Sequence, residues 1–289
     1  MRDMDPVFQK IREGTEHICE LGDYYMNSSY EFIASGRTAD ILSYADNQVL
    51  KLFRNDIPEH LIKEEFLIGQ EVFHQGIPCP EPIGMMEYNQ RRGIIYQRVA
   101  GVTMLRTMLN NQWTLEEEAR KMARLHADIH MKTVRNLPKQ KEKLKGQIEN
   151  APLLTQEEKK RALLQLDGLR EGASLCHGDF HPDNIMIGVE KDWVIDWITG
   201  MQGNPAGDVA RTILMLKWGS LPDETPPEIV NMILDLRNLL LETYIEEYIR
   251  ISDITREEID QWLIPVAAAR ICEWLPDDEK HALVDLIRS

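Results

Sequence analysis

The sequence is poor in cysteine, in basic residues and in long apolar runs. Its four cysteines, at positions 19, 79, 176 and 272, have no metal-like or redox-like spacing, which predicts reduced thiols in a cytoplasmic protein. The 33 basic side chains are outnumbered by 48 acidic ones, and a net charge of -15 argues against a nucleic-acid-binding protein. No apolar run approaches the roughly twenty residues of a membrane span, and the N-terminus shows no signal peptide. We therefore expect a soluble protein without nucleic-acid or membrane partners.

The most informative stretch is residues 176–197, CHGDFHPDNIMIGVEKDWVIDW. Residues 185–187 and 193–195 are short β-prone runs, and the polar residues between them suit the turn of an antiparallel hairpin. Because such strands run in opposite directions, we expect Asn184 and Asp196 to lie side by side at one rim. An amide oxygen and a carboxylate, with the remaining positions left to water and phosphate, commonly hold Mg²⁺ that arrives with a nucleotide.

Asp179 lies five residues before Asn184, a spacing found in phosphoryl-transfer enzymes. In that pattern an Asp accepts the proton of the attacking hydroxyl, while an Asn and a later Asp hold the metal. The motifs HGDFHPDN, VIDW and GNPAGDVART resemble those of the aminoglycoside phosphotransferase family, which includes choline kinase-like small-molecule kinases. The alternative is a polar hairpin in which Asp179 caps a turn and Asp196 ends a strand.

The resemblance implies an α+β fold of the bilobal protein-kinase-like type, with a small antiparallel-sheet N-lobe and a larger, mainly helical C-lobe. It divides the chain into a nucleotide-binding lobe, residues 1–99, and a helical lobe, residues 100–289, that carries the catalytic loop and substrate site. Residues 1–29 form an N-terminal extension of the first lobe. At 289 residues the chain has room for two modest lobes and requires no third domain.

The runs YEFIA, DILSY and QVLKLF, separated by turn residues, are typical of a twisted antiparallel sheet. Strand alternation in the third run places Val49, Lys51 and Phe53 on one face and Leu50 and Leu52 on the other. A lysine among apolar neighbours either extends from an edge strand into solvent or, as the resemblance implies, bridges nucleotide phosphates and a carboxylate of the next helix.

That next helix begins at Pro58, and its stripe of Leu61, Glu65, Ile68 and Val72 predicts that Glu65 faces inward. The resemblance also selects Glu65 as the partner of the strand lysine.

Gly36 and Thr38 lie between the first two predicted strands, where the loop either cradles phosphates or forms an ordinary hairpin turn. By alignment to the hinge at Gly101, the resemblance implies that backbone groups of Gln97 and Val99 bind adenine.

Beyond residue 101 the chain is predicted to be mostly helical. Four Thr-x-x-Glu capping boxes predict helix starts at Thr114, Thr155, Thr225 and Thr255. His126 and His130 share a helix face, but they lack the Glu of a zinc-hydrolase motif, so we interpret them as packing residues rather than metal ligands.

The resemblance implies further roles in the catalytic loop. His181 occupies the place where protein kinases often carry Lys, and would contact the transferring phosphate. His177 supports the loop, and Asp208, which also suits a helix N-cap, hydrogen-bonds back to it.

These features predict a kinase that transfers the γ-phosphate of ATP or GTP, with Mg²⁺, to a hydroxyl of a small molecule such as an aminoglycoside. Residues 221–289 contain sixteen acidic and six basic side chains, which would attract a cationic acceptor or form a solvated face. A glycine-poor loop at Gly36, Trp197 after the metal Asp, and the lack of an APE motif disfavour a regulated protein kinase. The alternatives are a kinase for an amino alcohol, sugar or amino acid, and a nucleotide-binding pseudokinase that acts as an interaction module.

Overall fold

The computed structural model describes residues 30–36, 38–110, 114–219 and 227–289. The chain forms two compact units. The first contains the chain up to Val102 together with Met186–Ile198, and the second contains Thr103–Ile185 together with Thr199–Ser289.

The first unit is built on a five-stranded antiparallel sheet in the order β1-β2-β3-β5-β4. Its strands are β1 (Phe32–Ser35), β2 (Ala39–Ala45), β3 (Gln48–Phe53), β4 (Pro82–Tyr88) and β5 (Arg91–Gln97). The three runs recognised in the sequence thus form β1 to β3. The predicted turn between β2 and β3 places Asn47 at φ 59°, a left-handed conformation that asparagine tolerates.

Strand β4 had no clear signal in the sequence, where the prolines around it indicated only the end of a helix. Pro82 is its first residue, and β4 is an edge strand of the sheet. At such a position the missing N–H of proline costs no ladder hydrogen bond, so the strand forms in spite of it.

Strand β3 separates two small cores, as its alternation predicts. Phe53 packs with Ile62 and Ile94 on one face, while Leu50 and Leu52 pack on the other. These apolar side chains are almost completely buried, so β3 is held by packing on both of its faces.

Helix α1 (Glu59–His74) follows Pro58, as predicted, and covers the first of these faces. Its buried residues are Ile62, Glu65, Ile68, Gly69 and Val72. The prediction that Leu61 belongs to the inward stripe is wrong. Leu61 is 36% exposed, because the buried stripe runs through the neighbouring Ile62, about 100° further round the helix.

A smaller sheet has the order β6-β8-β9, with β6 at Val102–Thr103, β8 at Ile185–Ile187 and β9 at Trp193–Val194. Strands β8 and β9 are therefore neighbours, as the sequence predicts. Asp196 lies two residues beyond the end of β9, directly before a 3₁₀ turn at Trp197–Thr199.

The second unit is mainly helical. Its helices are α2 (Met104–Asn110), α3 (Leu115–His130), α4 (Gln140–Glu149), α5 (Gln156–Gly168), α6 (Pro205–Trp218), α7 (Pro227–Ile251), α8 (Arg256–Arg270) and α9 (Asp277–Arg288). Helix α3 packs on α7, α6 packs on α8, and β7 (Ser174–Cys176) pairs antiparallel with β10 (Met201–Gly203). None of the helices that the structure describes combines the length and apolar character that a membrane crossing requires.

Two of the four predicted capping boxes are present, at Thr155 and Thr255, and each is closed by the Glu three residues later. At Thr114 the predicted helix start is confirmed, since α3 begins at Leu115, but the capping box is not formed, because Thr114 has helical backbone angles and its side chain makes no cap hydrogen bond. Thr225 lies outside the described residues.

Candidate active site

Lys51 in the first unit lies between two carboxylates. Its Nζ is 2.7 Å from Oε1 of Glu65 and 3.0 Å from Oδ1 of Asp196. Burial alone would lower the pKa of Lys51, but Asp196 and Glu65 outweigh burial and raise this pKa above its usual value. Lys51 therefore carries its charge at neutral pH, inside the unit rather than on an edge strand in solvent.

Glu65 has a second partner that the sequence did not indicate. The hydroxyl of Tyr96 on β5 donates to the same oxygen, Oε1, over 3.1 Å. The other oxygen, Oε2, is buried and has no hydrogen-bond partner among the described residues. Lys51 and Tyr96 together thus fix the carboxylate from the sheet side.

Asp196 adopts a backbone conformation that is rare for a residue with a side chain. Its φ is 60°, in the left-handed region, which costs on the order of 1–3 kcal/mol and is typical of functional sites. The carboxylate reaches Lys51 through Oδ1, and the side chain remains 40% exposed. Asp196 can therefore keep its contact with Lys51 and still offer oxygen to a cation.

The loop at Gly36 is closed by its own hydrogen bonds. The Gly36 amide donates to the Ala39 carbonyl over 2.8 Å. Arg54 donates from its side chain to the Gly36 carbonyl over 3.0 Å and from its backbone to the Thr38 carbonyl over 2.9 Å. The Gly36 amide is thus already engaged within the loop, which favours the hairpin interpretation for that group.

The two predicted adenine-binding residues lie at and beyond the end of β5. The Gln97 amide donates to the Glu81 carbonyl over 2.9 Å, and Val99 is half-buried two residues later.

Asp208 organises the second unit. Its side chain is buried, and Oδ1 accepts the Gly178 amide at 2.8 Å. Oδ2 accepts the His177 amide at 2.6 Å and lies 3.1 Å from Nε2 of His126 and 3.3 Å from Nε2 of His130. Burial would raise the pKa of Asp208, but these hydrogen bonds hold it well below its usual value. Asp208 is therefore ionised and binds the loop, in agreement with the role expected from the resemblance.

The two histidines are in turn bound by tyrosines. Nδ1 of His126 lies 2.7 Å from the Tyr244 hydroxyl, and Nδ1 of His130 lies 2.7 Å from the Tyr248 hydroxyl. An ionised carboxylate only accepts, so each Nε2 must carry the proton that is shared with Asp208. In the neutral ring Nδ1 then accepts from tyrosine.

The buried histidine pair thus has a structural role. Burial and the neighbouring His130 lower the pKa of His126 to about 3, which keeps its ring neutral. His126, His130 and Asp208 lie close enough to share a metal ion, but their ligand atoms are already hydrogen-bonded to one another or to the loop.

Gly178 is required by the backbone of the catalytic loop. Its φ is 75°, and a Cβ there would lie 2.4 Å from the Met201 side chain and 2.7 Å from the Thr199 carbonyl. No other residue type fits this position without moving the loop. The backbone conformation of Gly178 thereby sets the direction of the chain at the next residue, Asp179.

Asp179 and Asn184 are brought together in this unit. The Asn184 amide nitrogen donates to the Asp179 carbonyl over 2.8 Å and to Oδ2 of its carboxylate over 3.2 Å. Both partners are acceptors, so the nitrogen must face Asp179, and the amide oxygen faces the other way. The Asn184 oxygen is thus oriented away from the loop, as a metal ligand would be.

The Asp179 carboxylate is 32% exposed and lies beside His181 and Arg211. Burial would raise its pKa, but His181, with Nε2 3.5 Å from Oδ2, and Arg211, with Nη2 3.7 Å from Oδ1, hold the pKa below its usual range. Asp179 is therefore ionised at neutral pH and can accept a proton or orient a hydroxyl.

Two charged side chains next to Asp179 are not indicated by the sequence. Arg211 lies three residues after Asp208 on α6, so the same helix face was the available signal. Glu273, which is ion-paired with Arg211, is 62 residues away and had no signal. Thr212, the next residue of α6, donates to the Phe180 carbonyl over 2.8 Å. Helix α6 therefore fixes the loop through three side chains.

The chain has a protein-kinase-like fold. The sequence profile of the Phosphotransferase enzyme family (APH) matches residues 29–238. The chain belongs to this family, as its motifs predict.

Three solved structures illustrate the shared fold. An apo thermostable mutant of aminoglycoside phosphotransferase APH(4)-Ia has a TM-score of 0.63 at 15% identity, over 90% of this chain and 94% of that chain. Amicoumacin kinase hAmiN, in complex with AMP-PNP, Ca²⁺ and Ami, has a TM-score of 0.59 at 13% identity, over 99% and 92%. Choline kinase from Cryptosporidium parvum Iowa II has a TM-score of 0.54 at 13% identity, over 96% and 93%. No curated protein matches the chain by sequence.

Proposed function

We propose that the protein transfers the γ-phosphate of ATP or GTP to a hydroxyl group of a small molecule in the cytoplasm. The observation that carries this proposal is the ionised, partly exposed Asp179, held by Asn184 on a loop that a buried aspartate anchors. Such a carboxylate can hold a hydroxyl by one oxygen while the surrounding hydrogen bonds keep its orientation.

In the proposed reaction the acceptor oxygen forms a bond to the γ-phosphorus, and the bond from that phosphorus to the bridging oxygen breaks. The hydroxyl proton passes to the Asp179 carboxylate, and the nucleoside diphosphate leaves with the bridging electron pair. Lys51, kept charged by its two carboxylate partners, contacts phosphate oxygens, and His181 contacts the group in transfer. Thr38, Gln97 and Val99 complete the nucleotide site in this proposal, whereas Gly36, whose amide is engaged within its own loop, is assigned to the hairpin turn.

Asn184 and Asp196 fit the Mg²⁺ that the family implies. Both are hard oxygen donors. The amide nitrogen of Asn184 is engaged by Asp179, so its oxygen is the end that remains for a cation, and the Asp196 carboxylate is 40% exposed. When bound, the ion would neutralise charge on the phosphates.

The acceptor is proposed to be a hydroxyl-bearing and cationic molecule, of which aminoglycosides are one class. The structural relatives named above include aminoglycoside, amicoumacin and choline kinases, and the acidic C-terminal region supports a cationic acceptor through its field. Amino alcohols, sugars and amino acids are the alternative acceptors.

The test combines an acceptor screen with one isosteric substitution. Purified protein, MgATP or MgGTP and a panel of aminoglycosides, amicoumacin, choline, sugars and amino acids are examined by mass spectrometry for an added phosphate. With an acceptor in hand, we expect Asp179→Asn to lower kcat by about a hundred- to ten-thousand-fold, because it removes the proton acceptor. Nucleotide affinity, measured by calorimetry, should change little.

The matched control is Asp183→Asn, since Asp183 is an exposed aspartate of the same loop. It should retain wild-type turnover. Loss of nucleotide binding together with turnover in Asp179→Asn would instead make Asp179 a scaffold of the loop. A thermal shift with MgATP but no turnover on any acceptor would favour the pseudokinase alternative.

A further inference from the structure

All three nitrogens of the Arg211 guanidinium group donate hydrogen bonds next to the catalytic loop. Nε donates to the carbonyl of Gly178, the residue before Asp179. Nη1 and Nη2 bind the two oxygens of Glu273 at 2.5 and 3.1 Å. The same Nη2 is 3.7 Å from Oδ1 of Asp179, too far for a hydrogen bond. Arg211 is only 12% exposed, so this geometry is enclosed by the protein.

The contact with Gly178 completes the restraint of the two peptide groups on either side of this residue. Asp208 accepts the Gly178 N–H and Arg211 donates to the Gly178 carbonyl, and both side chains project from α6. The peptide group before Gly178 is therefore held by Asp208, and the one that leads into Asp179 is held by Arg211. A planar fork is needed for this, because a lysine could not bind a carbonyl and two carboxylate oxygens at once.

Glu273 decides which carboxylate Arg211 pairs with. A buried arginine beside two carboxylates can form a bidentate ion pair with the one whose two oxygens face its terminal nitrogens. Glu273 occupies both terminal nitrogens, so Asp179 is left with a nearby positive charge but with its oxygens still available to a hydroxyl. Arg270, with Nη1 3.7 Å from Oε2 of Glu273, holds this glutamate from the other side.

We infer that Arg211 and Glu273 form a positioning pair that holds Asp179 in place while preventing a direct, inhibitory ion pair between Arg211 and Asp179. The inference deepens the proposed function and rests on it. Neither side chain needs to touch the substrate. The pair joins the loop to the turn between α8 and α9, where Glu273 lies.

The inference makes an unusual prediction for paired substitutions. Glu273→Gln should lower kcat on the order of tenfold to a hundredfold, because freed Arg211 turns onto Asp179, and small misplacements of reacting groups have effects of this size. Adding Arg211→Met to Glu273→Gln should not deepen the loss and should recover part of it, since the arginine that blocks Asp179 is gone. Arg211→Lys should lose activity as well, because it keeps the charge but not the fork. The nucleotide KM should stay within about twofold in all of them, as expected for a contact that matters in the transition state.

Turnover is measured with whichever compound of the screening panel accepts phosphate, and also as phosphate release from MgATP with water as acceptor. Arg256→Met, which breaks the exposed ion pair between Arg256 and Asp260 on α8, is the matched control and should behave as wild type. Wild-type kcat in both Glu273→Gln and Arg211→Lys overturns the inference. The inference is also overturned if the kcat losses of the two single substitutions multiply in the double variant. It is overturned as well if the nucleotide KM changes as much as kcat does. A pair with a purely structural role would give either result.

Amide hydrogen exchange of the peptides that cover residues 176–184 gives a readout that needs no acceptor. We expect faster exchange in Arg211→Lys than in wild type, at an unchanged global melting temperature, and unchanged exchange overturns the inference. If wild type transfers no phosphate at all, the proposed function fails, whereas this exchange result still decides whether Arg211 holds the loop.

Discussion

Lys51 and Asp179 are each kept ionised by their neighbours. Lys51 lies between Glu65 and Asp196, and Asp179 lies beside Arg211 and His181. Burial acts against the charged form of each, so without these partners Lys51 would tend to lose its proton and Asp179 to gain one. The counter-charges are therefore as much a part of the proposed site as the reacting groups are.

The ion pair between Lys51 and Glu65 gives a prediction at this scale. Lys51→Met and Glu65→Gln should each lower kcat/KM for the nucleotide, and the double variant should lose little more than the worse single variant. The reason is that the two side chains act as one unit, for which coupling energies of about 0.5–3 kcal/mol are expected. A double-mutant cycle on kcat/KM measures this coupling.

Glu64→Gln is the control, because Glu64 is adjacent in sequence yet does not take part in the ion pair. It should leave kcat/KM unchanged. Strictly additive effects of the Lys51 and Glu65 substitutions would remove Glu65 from the nucleotide site.

At the scale of single elements, the helix ends show which local signals are reliable. The boxes at Thr155 and Thr255 close fully, with the hydroxyl accepting from the N3 amide and the N3 glutamate accepting from the cap amide. The same four-residue pattern at Thr114 fails, because the backbone there is already helical. A capping box forms only where the N-cap residue has an extended backbone conformation.

Thr255 therefore allows a direct measurement of one cap. Thr255→Ala should lower the free energy of unfolding by about 1 kcal/mol, because the amide of Glu258 loses its side-chain acceptor. Thr255→Ser keeps the hydroxyl and should cost much less. Urea denaturation of the three proteins provides the comparison, and equal stability of the Ala and Ser variants would mean that the hydroxyl adds nothing.

At the scale of the whole molecule, one buried polar cluster joins α3, α6, α7 and the catalytic loop. It consists of His126, His130, Asp208, Tyr244 and Tyr248, with the amides of the loop as further donors. The His126 ring is neutral, so its protonation would place a proton on Nδ1, where the Tyr244 hydroxyl now donates. Folding should therefore oppose protonation of His126.

This predicts a pH dependence of stability. The folded-state pKa of His126 is about 3, below the value of about 6.5 in an unfolded chain. The contribution of neutral His126 to the free energy of unfolding is thus complete above pH 6.5. It is lost progressively as the pH falls toward 3, by at most about 1.4 kcal/mol per pH unit. The groups around it are His130, Asp208 and His177, of which Asp208 opposes the shift.

The measurement is the free energy of unfolding of wild type and of His126→Gln between pH 7 and pH 4. Glutamine keeps an N–H for Asp208 but does not titrate, so this variant should be less stable at pH 7 and lose less stability on acidification. Parallel pH profiles of the two proteins would show that His126 is not the responsible group.

The sequence alone determined the features that depend on near neighbours in the chain. Strand alternation around Lys51, the helix that carries Glu65 and the contact between Asp179 and Asn184 all involve spacings that one element or one loop sets by itself. The family, too, follows from short motifs. Local geometry restricts such neighbours so strongly that residue spacing is sufficient to predict their contact.

The tertiary structure alone decided contacts that bring distant parts of the chain together. Asp208 meets His126 across 82 positions, Arg211 meets Glu273 across 62, and residues 186–198 join the unit that contains β1 to β5. Each of these side chains could have been satisfied by water or by another partner. Burial excludes water from these side chains, so each needs a hydrogen-bond or ion-pair partner within the protein. The packing of whole helices decides which partner is within reach.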